Sequence, residues 1–103
     1  MIIFTTVSSQ KIAKKISEIL VQEKLVACVN IIPQLTSIYI WKNKLCREKE
    51  ILLMMKTRRE KYAALEKRLR QIHPYETPEI IGIKINKGSK DYLNWILETL
   101  SRK

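Results

Sequence analysis

The chain's one histidine, His73, opens the segment HPYETPEI, which also carries Tyr75, two carboxylates (Glu76 and Glu79) and two of the three prolines. Imidazole titrates near neutral pH, so His73 oriented by Glu76 or Glu79 has the makings of a general base. The same three side chains are donors that divalent copper accepts. No nucleophile motif and no phosphate-cradling glycine run accompanies them, however. One imidazole per chain falls short of a preformed zinc or copper cage. Met54 and Met55 are soft donors, but within ILLMM they read as core. The expectation is a non-enzymatic protein that requires no cofactor, with His73, Glu76 and Glu79 as conditional ligands for divalent copper. The prolines give the segment a structural task as well. Pro74 disfavours a helical His73, and Pro78 biases Thr77 toward an extended shape that feeds a strand.

The elements that must position this segment follow from apolar spacing. Residues Ile2 to Val7 read as a buried strand, after which Ser8 or Ser9 caps a helix running to about Lys24 with Ile12, Ile16, Ile19 and Leu20 on its apolar face. Two long strands follow, Leu25 to Trp41 and Leu45 to Thr57, with Lys42, Asn43 and Lys44 turning between them. Pro33 cannot donate to a ladder, so it marks a bulge or an edge position. The hairpin sets Cys46 opposite about Ile40 and Cys28 at the far end, too distant for a disulfide. A second helix spans Arg58 to Ile72, with Tyr62, Leu65, Leu69 and Ile72 as its stripe. Glu79 to Ile85 is a strand, Lys87-Gly88 turns, and Ser89 caps a last helix with Asp91 in its first turn and Tyr92, Leu93, Ile96, Leu97 and Leu100 facing inward.

This order is β-α-β-β-α-β plus a C-terminal helix, which predicts an α+β, ferredoxin-like split βαβ fold, an antiparallel sheet with helices on one face and a long central hairpin. The 103 residues make one domain, 1–103. Both hairpin strands are much longer than the usual ~5 to 6 residues. Their tips therefore project, carrying Tyr39 and Trp41, and need covering by another copy of the chain. The net charge of +10 suits an anionic partner or a solvated basic surface, with the densest runs in KTRREK and KRLR. MIIFTTV lacks the features of a signal peptide, no stretch approaches a membrane span, and neither cysteine has metal or redox spacing, so the expected compartment is the cytoplasm.

Four stretches in register, LVACVNIIPQLTSIYIW, EKEILLMMKT, HPYETPEI and DYLNWI, resemble the CutA divalent-cation tolerance family over nearly the whole chain. The resemblance implies a homotrimer joined by inter-subunit strand pairing, similar in architecture to the nitrogen-signalling PII proteins, and a role in tolerance to copper and other divalent cations. Residue by residue, it implies that Tyr39, Trp41, Glu48, Glu50, Lys56, His73, Tyr75 and Pro78 line clefts between subunits. Where some members carry a cysteine and a second histidine, this chain has Thr5 and Ile72.

Two other chemistries compete. An RNA-recognition domain shares the topology and would welcome the charge, but it stacks bases on a sheet motif that one phenylalanine (Phe4) and two glycines (Gly82 and Gly88) cannot supply. No specific nucleic-acid partner is expected. A PII-like trimeric sensor would instead receive an anionic metabolite, with Lys56, Arg58 and Arg59 placed near a cleft.

Overall fold

The computed structural model describes residues 1–101. Strand β1 (Ile2–Val7) leads through Ser9, whose Oγ accepts from the Ile12 N–H at 3.1 Å, into helix α1 (Gln10–Gln22). Of the two expected caps, Ser9 is the one used. Helix α1 stops because Lys24 turns to φ 58°. The Leu25 N–H then reaches the Leu20 carbonyl and the Lys24 N–H the Val21 carbonyl, each at 3.0 Å, which is a Schellman closure with lysine where glycine is usual.

Strands β2 (Cys28–Trp41) and β3 (Lys44–Lys56) form the long hairpin. Pro33 and Gln34 together oppose the interval between Leu52 and Glu50, so the expected bulge is present, with Gln34 at φ 64°. The turn is tighter than expected. Lys42 and Asn43 alone make it, at φ 50° and 65°, the signature of a type I′ loop. Lys44 is thus already in the strand, and Cys46 pairs with Tyr39 rather than Ile40. Cys28 pairs with Lys56 at the opposite end, and both thiols are free.

A single 3-10 turn (Arg59–Lys61) precedes α2 (Tyr62–Ile72), so the α-helix begins later than the expected Arg58. It ends where Pro74 forces His73 to an extended ψ of 134°. Strand β4 is only Ile81–Ile83, against the expected Glu79 to Ile85, because Ile83 already pairs with Ile2 at the start of β1. Helix α3 (Lys90–Ser101) buries Ile96 and Leu100 with Leu93 beside them, whereas Tyr92 and Leu97 are exposed, contrary to the expected inward face. Tyr92 instead stacks on Trp95, with ring centroids 5.7 Å apart.

The strands form one open antiparallel sheet in the order β2-β3-β1-β4, an α+β fold. Each β-α-β unit is split by a strand of the other, since β3 lies between β1 and β2 and β1 lies between β3 and β4. Alternate residues of β1 and β3 (Ile3, Val7, Ile51, Leu53, Met55) meet Ala13, Ile16 and Leu20 of α1 and Leu65 and Leu69 of α2 in the main core. Beyond Glu50, β3 has only β2 as partner, so the hairpin tip stands clear of the sheet and the molecule is elongated, 44 × 27 × 22 Å.

The αL position of Lys24 gives a direct check. A left-handed non-glycine residue costs about 1–2 kcal/mol, offset in part by the backbone entropy of glycine. Lys24→Gly should therefore stabilise the chain by up to about 1 kcal/mol, raising the thermal midpoint by a few degrees. A lower midpoint in differential scanning calorimetry would show that the lysine side chain stabilises the helix end by more than its backbone strain costs.

Candidate functional site

The segment after α2 is fastened to the sheet through the His73 ring. His73 is only 7% exposed; its Nε2 lies 2.9 Å from the Thr6 carbonyl and 3.1 Å from the Thr5 hydroxyl, while its Nδ1 accepts the Tyr75 N–H at 3.1 Å. A carbonyl only accepts, so Nε2 carries the proton and the ring is neutral. Burial holds the imidazole below its ordinary pKa, against the opposing pull of the Thr6 carbonyl and the Glu50 carboxylate. Protonating Nδ1 would also set two N–H groups against each other. Both nitrogens are occupied, so the ring is neither a ready general base nor a ready ligand.

Tyr75 follows within two residues, its ring tilted against His73 at 4.8 Å and its hydroxyl donating to Glu50 Oε2 at 2.6 Å. Burial first, then the Glu50 carboxylate, push the Tyr75 hydroxyl far above the usual tyrosine range. Glu50 is itself 7% exposed and makes no ion pair among the described residues.

These contacts shape a cleft of about 460 Å³ between the hairpin and the 73–80 segment, lined by Thr6, Tyr39, Trp41, Glu48, Glu50, Tyr75, Glu76, Thr77 and Glu79. Tyr39 and Trp41 share a face of β2 because they are two residues apart, and they pair with Cys46 and Lys44, next to Glu48 and Glu50 on the same face of β3. Partial desolvation and the Glu48 carboxylate keep the Tyr39 hydroxyl above its ordinary pKa. Four of the chain's ten acidic residues line this cleft, and no lysine or arginine among the described residues does.

Of the expected residues, Tyr39, Trp41, Glu48, Glu50 and Tyr75 thus meet in one place, together with Glu76 and Glu79. Lys56, His73 and Pro78 are not in the lining. Lys56 bonds to the Asn30 side chain on the sheet, and His73 lies behind the cleft wall. The trio His73, Glu76 and Glu79 is not assembled as a ligand set, and no group of three His, Cys, Asp or Glu side chains converges among the described residues. Thr6 and Thr77 are additions. Thr77 sits inside HPYETPEI, while Thr6 carried no sequence signal beyond its place on β1. An anion-sensing role finds no support in a cleft with no basic side chain among the described residues; Arg58, another cation expected to serve such a role, is paired with Glu60 and Ser101.

The CutA1 divalent ion tolerance protein family model matches residues 1–99. The chain belongs to that family. It is 41% identical to a divalent-cation tolerance protein CutA of Thermus thermophilus over 94% of each chain. It is 48% identical to a CutA homolog of Xenopus laevis across 90% of its own length, but spans only 62% of that longer protein. The solved structure of the periplasmic divalent cation tolerance protein CutA from Archaeoglobus fulgidus superposes with a TM-score of 0.93 at 38% identity, covering 96% of both chains. Among the described residues no helix is long and apolar enough to cross a membrane.

The lone histidine makes its titration easy to read. With a folded pKa lowered from 6.5, His73 contributes stability that is complete above the unfolded value and is lost as the pH falls through the folded one. Proton NMR should place the ring's midpoint below 6.5, and the thermal midpoint should decline as the pH falls below about 6.5. His73→Gln should flatten that decline. A midpoint above the ordinary value would mean that the ring is charged in the folded chain.

Proposed function

We propose that the chain serves divalent-cation tolerance without catalysis, by receiving divalent cations, copper among them, at the carboxylates of this cleft. The observation that carries the reading is the sign of the charge. On a chain of net charge +10, the cleft beside the hairpin is lined by Glu48, Glu50, Glu76 and Glu79 and by no cation among the described residues. Local field decides what a cleft attracts, because charges beyond about 8–10 Å are screened at physiological salt.

Copper is the metal favoured on chemical grounds, since it ranks above the other divalent first-row ions at a given set of carboxylate donors. Among the described residues a single chain brings no three donors together, so tight coordination calls for ligands from neighbouring copies. We therefore read the working form as a homotrimer with the cleft at its subunit boundary. The exposed hairpin tip supports this: Trp41 is 43% exposed, Ile40 72% and Leu45 57%, on strands whose outer edges have no partner. Such a surface aggregates unless another chain covers it. Two free thiols fit a reducing compartment, and we place the protein in the cytoplasm.

Calorimetric titration with Cu²⁺ tests the site. Glu76→Gln combined with Glu79→Gln should weaken binding by about ten-fold or more, a loss of about 1.4 kcal/mol. His73→Gln should lower the melting temperature more than the affinity. Copper binding indifferent to the two glutamates but abolished by His73→Gln would overturn the assignment.

Light scattering tests the assembly. The expected mass is three times the 12.2 kDa of one chain, and Trp41→Ala should shift it toward monomer, as large interfacial aromatics carry much of the binding energy. A folded wild-type monomer at micromolar concentration would remove the trimer from the proposal.

A further inference from the structure

The carboxylates of the cleft are spread rather than convergent. Glu48 and Glu50 lie two residues apart on one strand face, about 7 Å along β3, while Glu76 and Glu79 come from the segment opposite, and no three of them gather around a point. One small ion cannot neutralise such a set. Aromatic rings share the lining, with Tyr39 and Trp41 two residues apart on one face of β2. Glu50 adds a second, separate demand. It is a nine-tenths-buried carboxylate whose one hydrogen bond, through Oε2, comes from Tyr75, and it has no cation beside it among the described residues. No buried side-chain oxygen among the described residues lacks a partner, so its free Oε1 is open to the cleft rather than sealed in the wall.

We propose that the cleft binds a linear aliphatic polyamine, an extended organic cation whose several ammonium groups reach the separated carboxylates while its methylene chain lies on the aromatic rings. Each part of the lining then has a partner. Ammonium groups satisfy Glu50 and its neighbours, and they are attracted to the faces of Tyr39 and Trp41. The alkyl stretches between them bury against the same rings, as lysine stems do on apolar surfaces. The volume of about 460 Å³ lies within the range of small-molecule sites. This inference rests on reading the cleft as a receiver of cations, and it names a second class of cation for that site.

Calorimetry with spermidine, putrescine and Mg²⁺, with Cu²⁺ titrated in parallel, tests it. A net charge of +10 disfavours non-specific polyamine adsorption, so binding reports the cleft. Spermidine should bind more tightly than the shorter putrescine and more tightly than Mg²⁺. Glu50→Gln keeps an acceptor for Tyr75 while removing the charge, and Glu79→Gln changes an exposed residue; each should weaken spermidine by about ten-fold, and Tyr39→Leu, which removes a ring of the lining, by a similar factor. Circular dichroism verifies that the variants fold. Spermidine heat that is absent while Cu²⁺ binds would overturn the polyamine and leave the divalent-cation reading in place. Absence of both would remove both. Spermidine binding unchanged in Glu79→Gln and Tyr39→Leu would locate it elsewhere on the surface and equally overturn the proposal.

Discussion

One whole wall of the cleft depends on one imidazole being neutral. With its proton on Nε2, His73 donates to the Thr6 carbonyl on β1 and accepts on Nδ1 from the Tyr75 backbone, so a single ring joins the end of α2, the strand and the following turn. The two prolines stiffen what that ring anchors. Tyr75 is then delivered to Glu50 at 2.6 Å, and Glu76 and Glu79 are set across from the hairpin. If the ring were charged, the Tyr75 bond would be lost first, and with it the wall of the cleft. The histidine thus acts by holding other side chains in place.

The hairpin supplies the opposite wall, and its strict alternation gives the tip two different faces. Tyr39, Trp41, Glu48 and Glu50 fall on the side that lines the cleft, whereas Ile38, Ile40, Leu45, Arg47 and Lys49 fall on the other. The bulge at Pro33 and Gln34 matters here, because a change of register flips every side chain on a strand to the opposite face. By taking up one extra residue in β2, it lets Ile31 and Ile32 keep their places on the sheet while Tyr39 and Trp41 still meet the glutamates beyond.

Much of this was legible in the sequence because it rests on local rules. The apolar period placed α1 and α2, Pro33 announced the bulge, and Pro74 announced the end of α2. The misses have equally local causes. Lysine is a poor advertisement for a left-handed residue, so Lys24 gave no sign of the Schellman closure and Lys42 hid a two-residue turn, which misplaced the partner of Cys46 by one. Strand β4 is short because β1 begins at Ile2, a tertiary limit that EIIGIKI cannot express. The apolar residues of α3 lie on more than one side, so spacing alone turns Tyr92 and Leu97 inward, while Ile96, Leu100 and Leu93 find a core. At the site, residue types pointed to His73 as a ligand; in the single chain the ring is buried and both of its nitrogens are hydrogen-bonded, and neither feature can be read from spacing.

The contrast between a cationic chain and an anionic cleft has a consequence for selectivity. A strongly basic surface repels cations at long range, so a cation enters only where the local field of several carboxylates exceeds the mean field of the protein, and screening by salt weakens the long-range repulsion more than the short-range attraction. Within the cleft, Glu50 is the residue for which this balance matters most, being nearly buried and held by one tyrosine hydroxyl. Removing its solvent without giving it a counter-charge is costly, and a hydrogen bond offsets only part of that cost. A site arranged in this way favours ligands that bring positive charge to the depth of Glu50 and also cover Tyr39 and Trp41, and it discriminates against bulk monovalent ions that can do neither.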